Sequence, residues 1–140
     1  MGEKGMTIDL ILMLFIEMLF CHILDDYYLQ GILASLKQRK WWEENYPEER
    51  YKNDYKIVLI EHGFSWSFVT SIPILINGVV DMKKGTIILM VILIIINTTI
   101  HSIVDDLKCN KLKINLITDQ MVHIIQLIST MLIYIIWIGL

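Results

Sequence analysis

The sequence predicts an all-α integral membrane protein, a four-helix bundle that carries a polar His/Asp site at one membrane face. Three observations lead there. The chain is 55% hydrophobic, with a mean hydropathy of +0.55, and its Ile, Leu, Val and Met gather into runs close to the ~20 residues that cross a bilayer. All four histidines fall towards the ends of those runs. Three of them have an aspartate four residues away: His22 with Asp26, His101 with Asp105, and His123 with Asp119. On a helix that spacing stacks both side chains on one face.

At 140 residues the chain reads as a single membrane domain, 1–140, with helices at about 7–28, 57–80, 86–107 and 118–140 and a polar connector over 31–56. The N-terminus needs care. Met1-Gly2 begins like a myristoylation signal, but Met6 stands where a Ser or Thr is required. Lys4 followed by Leu10 to Phe20 resembles a signal-peptide core, yet Glu17 interrupts it and no small-residue cleavage site follows, so a retained helix is expected. Asp9 and Glu17 are costly in lipid, so Glu17 is expected to face the bundle interior. It lies on a stripe of Met13, Glu17, Cys21 and Asp25 that leads towards His22. Two readings of Glu17 stand: a hydrogen-bonded buried acid, or a support or proton carrier beneath the site.

The connector holds Lys37, Arg39, Lys40, Trp41, Trp42, Glu43, Glu44, Pro47, Glu48, Glu49 and Arg50. Its first part, 32–42, reads as a short helix along the membrane surface, with both tryptophans at headgroup level. The charge-rich remainder reads as a solvated loop. The second helix has Glu61 and His62 in its first two turns and Pro73 within it, where a kink is expected. Asp81, Lys83, Lys84 and Gly85 suggest a tight turn. The third helix is apolar until Asn97, after which Asn97, His101 and Asp105 follow at four-residue steps. Lys108, Lys111 and Lys113 mark the next linker, and the fourth helix starts near Thr118.

Four alternating crossings bring His22, Asp26, His62, His101, Asp105, Asp119 and His123 to one side of the membrane. Each half of the chain reads as a His-x-x-x-Asp helix end, a connector and a His early in the returning helix, a weak repeat that would fit a pseudo-two-fold axis along the membrane normal. Nine of the twelve basic residues lie on the site-bearing side, so the positive-inside rule places the site at the cytoplasmic face of the cell inner membrane, with both termini outside. The net charge of -3 argues against a nucleic-acid surface. Cys21 and Cys109 have no metal or redox spacing.

Taken together, His22-Asp26-Leu29-Gln30, an isolated His62, His101-Asp105-Lys108 and Asp119-Gln120-His123 resemble the domain of unknown function family 3307, small bacterial and phage membrane proteins. The likeness spans nearly the whole chain. That family usually has a Trp and then a Lys after the Gln, where this chain has Gly31-Ile32-Leu33 and then Lys37. The resemblance implies a fold and a set of positions, not a reaction. A more distant similarity is to membrane-bound metal-dependent hydrolases and to helical zinc phospholipases and nucleases.

As chemistry, His22, Asp26, His62, His101, Asp105, Asp119 and His123 are candidate metal ligands that offer nitrogen and oxygen without thiolate. Zinc, manganese and iron all accept such a set, as one or two divalent ions. Asp26, Asp105, Gln30 and Gln120 are the candidate catalytic residues, the two amides as groups that orient a ligand or a water. A metal-dependent hydrolase acting on a lipid phosphate or another phosphorylated small molecule would suit such a site. Two non-enzymatic readings stand beside it: a proton, ion or small-solute pathway, and a polar network that fixes helix packing. The lipid bilayer is the expected partner, and a homo-oligomer is compatible with the sequence.

Overall fold

The computed structural model describes residues 2–80 and 84–139, with side chains over 8–77 and 84–139. The described residues form helices and turns without a strand. In chain order these are α1 (Gly2–Ile23), continued by a π-helical turn at Leu24–Leu29, then α2 (Leu33–Leu36), α3 (Arg39–Asn45), a 3-10 turn at Glu49–Tyr51, α4 (Asp54–Val80), α5 (Thr86–Cys109) and α6 (Leu116–Ile138). The four long helices pack as a closed bundle: α1 lies against α4 and α6, α4 against α5, and α5 against α6. Asp81 and Lys83 of the expected tight turn lie outside the described residues, as does Leu140.

Among the described residues, three helical segments are long and apolar enough to cross a membrane: Glu49–Asn77, Thr86–Cys109 and Leu116–Ile138. The sequence led us to expect a fourth in α1, where Asp9 and Glu17 interrupt the apolar run. The packing is inverted relative to a water-soluble bundle. On α5 and α6, Ile88, Ile95, Ile117 and Ile136 are 67%, 61%, 70% and 76% exposed, while Asn97, His101, Asp105, Asp119, His123, Gln126 and Thr130 are buried. Apolar outside and polar inside is the arrangement that a lipid solvent selects.

One half of the bundle is filled by an apolar core of Leu14, Met18, Trp66, Ile74, Met90, Leu93, Leu127, Met131, Tyr134 and Ile135. The polar residues occupy the other half, where α1 and α5 end and α4 and α6 begin. α6 is started by Asn115, whose side chain accepts a hydrogen bond from the Thr118 backbone N–H at 2.9 Å, satisfying one of the free donors of the first turn. α4 runs through Pro73 as a continuous helix.

Glu17 lies at neither of its expected places. It is half-buried and lines a groove of about 630 Å³ between α1 and α4, beside Cys21, Pro73 and Asn77. Met13 on the same stripe is 61% exposed, so the stripe turns inward only at its Asp25 end.

α4 and α5 meet at Gly63. A Cβ there would stand 2.5 Å from Ser102 Oγ and 2.9 Å from the Thr98 carbonyl oxygen. Ser102 Oγ itself donates within α5, or across to the Leu59 carbonyl of α4, at 2.7 and 2.9 Å. Small residues of this kind let helix backbones approach closely in a membrane. In a free helix Gly→Ala stabilises by about 0.5–1 kcal/mol. Here Gly63→Ala is expected to destabilise by about 1–3 kcal/mol, because α4 must move off α5. Thermal unfolding in detergent checks this; an unchanged or higher midpoint would contradict the close crossing.

Candidate metal centre

The site begins with a change of helix type. At the end of α1 the backbone switches to a π-helical turn, closed by the Gln30 N–H bonding to the Asp25 carbonyl at 3.1 Å. Such widened turns recur at functional sites. Both adjacent carboxylates of this turn, Asp25 and Asp26, are buried. Gln30 does not join them at the site: its side-chain amide donates to the Asp26 backbone carbonyl within the same turn.

Around these carboxylates the bundle assembles His62 from α4, His101 and Asp105 from α5, and Asp119 and His123 from α6, each at 0% exposure. Among the described residues, two sets of donors each lie within 4.8 Å of one another: Asp26, His62 and His101, and His101, Asp105 and His123. His101 belongs to both. Its ring packs against both His123 and Trp66, with centroids 4.1 and 4.5 Å away, and those two rings also touch each other at 5.3 Å.

The donor separations decide what the cluster is suited to. His62 Nε2 is 3.4 Å from Asp26 Oδ1 and 3.4 Å from Asp105 Oδ2. His101 Nε2 is 3.8 Å from Asp105 Oδ2, and His123 Nε2 is 3.4 Å from Asp119 Oδ1. An N–H···O bond prefers ~2.7–3.2 Å. Ligands ~2.0–2.2 Å from a tetrahedral ion stand about 3.3–3.6 Å apart. These separations exceed the first range and all but the His101 one fall in the second. Consistently, both ring nitrogens of His62 and of His101, Nε2 of His123, Oδ1 of Asp105 and Oδ1 of Asp119 are buried and find no protein hydrogen-bond partner. Each such orphan costs about 1–3 kcal/mol unless something binds it. The donor set therefore fits a divalent cation.

Hydrogen bonding fixes two of the ring tautomers. The Gln126 amide donates to the Asn97 carbonyl and to Asn97 Oδ1, both at 3.1 Å, so its Oε1 faces His123 Nδ1 at 3.2 Å and accepts from it. Asn97 is held in turn by donating to Thr130 Oγ1 at 2.7 Å. His123 then keeps its Nε2 lone pair for the cluster, the usual second-layer arrangement for a ligand histidine. His22 is the opposite case. The Trp66 indole N–H, which can only donate, reaches His22 Nδ1 at 2.8 Å, so Nε2 carries the proton and donates to Gln120 Oε1 at 3.0 Å. Both nitrogens are engaged and His22 joins neither donor set. It orients Gln120, whose amide donates to Asp26 Oδ2 at 2.9 Å and Asp119 Oδ2 at 3.0 Å. The two halves of the chain are thus not equivalent at the site: His101 is at its centre and His22 in its outer layer.

Several participants were not among the candidate ligands or catalytic residues. Lys37 is buried and its Nζ donates to Asp105 Oδ2 at 2.6 Å. It is delivered by Asn110, which holds the Lys37 carbonyl at 3.1 Å and the Arg39 N–H at 2.7 Å, so the connector folds over the site instead of extending into solvent. Lys108 donates to Asp119 Oδ2 at 2.5 Å. Asp25 accepts from Ser65 at 2.8 Å, with its other oxygen 3.9 Å from His62 Nδ1. Trp66 is fully buried against three of the histidine rings. Asp106, adjacent to Asp105, turns away to Lys111 at 2.6 Å and to Asn110.

Comparison with family models, curated proteins and solved structures finds no match. The resemblance to the domain of unknown function family 3307 therefore rests on the motifs of this sequence alone.

Proposed function

We propose that this protein is a divalent-metal-dependent hydrolase of the membrane, acting on a phosphoester at the cytoplasmic face of the inner membrane. The observation that carries the reading is a set of buried His and Asp atoms 3.4–3.8 Å apart, in which the ring nitrogens of His62 and His101 and Nε2 of His123 have no hydrogen-bond partner within the protein. His62, His101, His123, Asp26 and Asp105 would hold the ion, with Asp119 beside them. Charge favours one ion. The site holds four carboxylates, Asp25, Asp26, Asp105 and Asp119, and two ammonium groups, Lys37 on Asp105 and Lys108 on Asp119, so with neutral imidazoles two negative charges are left over for a divalent cation to balance.

When bound, such an ion supplies Lewis-acid activation of water and of a phosphoryl oxygen. The chain's own groups do the rest. Gln120 holds Asp26 and Asp119 in register through its two amide hydrogens. Asp119 Oδ1, which no protein donor occupies, is placed to take a proton from an attacking water. Lys108, a quarter exposed, is placed to offset charge on the phosphoryl oxygens. His22 and Trp66 keep the Gln120 amide facing the correct way. A polar packing network, the alternative, is disfavoured because such a network would satisfy its members, and here seven buried site atoms have no hydrogen-bond partner within the protein.

The test is release of inorganic phosphate from phosphatidic acid and from a soluble phosphomonoester, using detergent-purified protein loaded in turn with zinc, manganese and iron. Turnover lost on chelation and in Asp105→Asn supports the reading. No turnover with any of the three metals would overturn the hydrolase assignment. The orientation is tested separately. Connectors 31–56 and 110–115 hold most of the basic residues, so a tag at either terminus is expected to be reachable from outside the cytoplasm in intact cells. Tags reached only after permeabilisation would reverse the orientation.

A further inference from the structure

Beside the site, a cavity of about 480 Å³ opens between the end of α1 and the start of α6, lined by Leu19, His22, Ile23, Tyr27, Gln120 and Ile124, with Tyr28 at its rim. Its walls and floor differ in chemistry. Leu19, Ile23 and Ile124 make the walls apolar, and Ile23 is 43% exposed at the outer side. The floor is His22 and the Gln120 amide, the pair that touches Asp26 and Asp119. Tyr27 and Tyr28, 54% and 75% exposed, stand at the mouth, where an aromatic body with a polar tip suits the headgroup level. The volume is in the range of small-ligand pockets, which combine apolar walls with a few convergent polar groups. The larger groove beside Glu17 touches none of the site residues.

We propose that this cavity is a lateral portal through which an acylated phosphoester reaches the site from within the membrane. The acyl chain lies along Leu19, Ile23 and Ile124, and the phosphate head comes to rest at Gln120. An apolar wall that ends on a hydrogen-bonding floor matches an amphiphile, because a water-soluble phosphoester would gain nothing from the wall and a simple lipid tail nothing from the floor. Gln120 then has a second part to play. Its amide hydrogens stay on Asp26 and Asp119, so it marks the inner end of the portal, where the phosphate meets the carboxylates of the site. This inference rests on the hydrolase reading for what happens to the headgroup, and not for where the chain binds.

The experiment uses the full chain in nanodiscs that contain a photoactivatable diazirine analogue of phosphatidic acid, with labelled peptides mapped by mass spectrometry. Labelling is expected to concentrate on 19–28 and 120–124, to fall when lysophosphatidic acid is added, and to be unaffected by glycerol 3-phosphate. Ile124→Trp, which fills the portal, should reduce the labelling several-fold while metal content stays unchanged. Leu19→Phe provides a second, milder plug, so that a folding failure of the first variant leaves the test intact. Labelling spread evenly over the exposed isoleucines of α5, or equal competition by glycerol 3-phosphate, would overturn the portal. Metal content and phosphate release from a soluble phosphomonoester are measured on the same samples. Focused labelling without metal or turnover would sink the hydrolase and leave the portal standing, and dispersed labelling with both present would do the reverse.

Discussion

His101→Ala is expected to strip the protein of most of its metal, whereas Asp106→Ala should leave metal content unchanged. His101 is shared by both donor sets, so its loss removes one nitrogen from each. Asp106, five residues on, is committed to Lys111 and Asn110 on the outer side of α5. His22→Ala separates ligand from support. With both its nitrogens engaged by Trp66 and Gln120, His22 acts through its neighbours, and changes in such outer-layer partners cost about 10–100-fold in metal affinity rather than the site itself. Competitive titration against a chromophoric chelator, on protein that elutes as one species and keeps its helical circular dichroism, ranks the three. Equal affinity in His101→Ala and Asp106→Ala would show that the histidine cluster holds no metal.

The second large effect is expected at Lys37. Lys37→Met takes from the fully buried Asp105 carboxylate its hydrogen-bonded ammonium and leaves it only Lys108 Nζ, 3.8 Å from Oδ1; breaking a buried pair on one side typically costs about 3–5 kcal/mol, and the loss is expected towards the lower end of that range. Arg39→Ala, a few residues on, breaks a half-exposed i,i+4 pair with Glu43 and should cost about 0–1 kcal/mol. The two substitutions remove the same formal charge from one connector, so the contrast isolates burial. The Lys37→Met deficit should also be greater after chelation, because an added cation partly replaces the missing charge. Thermal unfolding in detergent with and without added zinc reads this out; similar losses for the two variants would place Lys37 in solvent.

What the sequence made legible was what is local. The i,i+4 pairs at His101–Asp105 and Asp119–His123 follow from helical periodicity, and short connectors force neighbouring helix ends together. The all-helical fold and three long apolar segments were equally readable from the clustering of Ile, Leu, Val and Met. What escaped was whatever depends on contacts between distant residues. A lysine in a charge-rich connector looks solvated, and only the Asn110 clamp, 73 residues away, turns Lys37 inward. His22 and His101 have identical spacing to an aspartate, and their different places follow from Trp66, whose indole N–H consumes one nitrogen of His22 alone. The π turn after Ile23 has no periodic signature, since it changes register without changing composition. Gln30 sits one turn beyond Asp26 on paper, yet in that register its amide is spent on a backbone carbonyl.

The most direct test of the central claim is elemental analysis of the detergent-purified chain, before and after chelation and after reloading. One equivalent of a divalent transition metal per chain is expected, removed by chelator and restored by zinc or manganese. The wild type purifying without metal, and binding none on reloading, would contradict it.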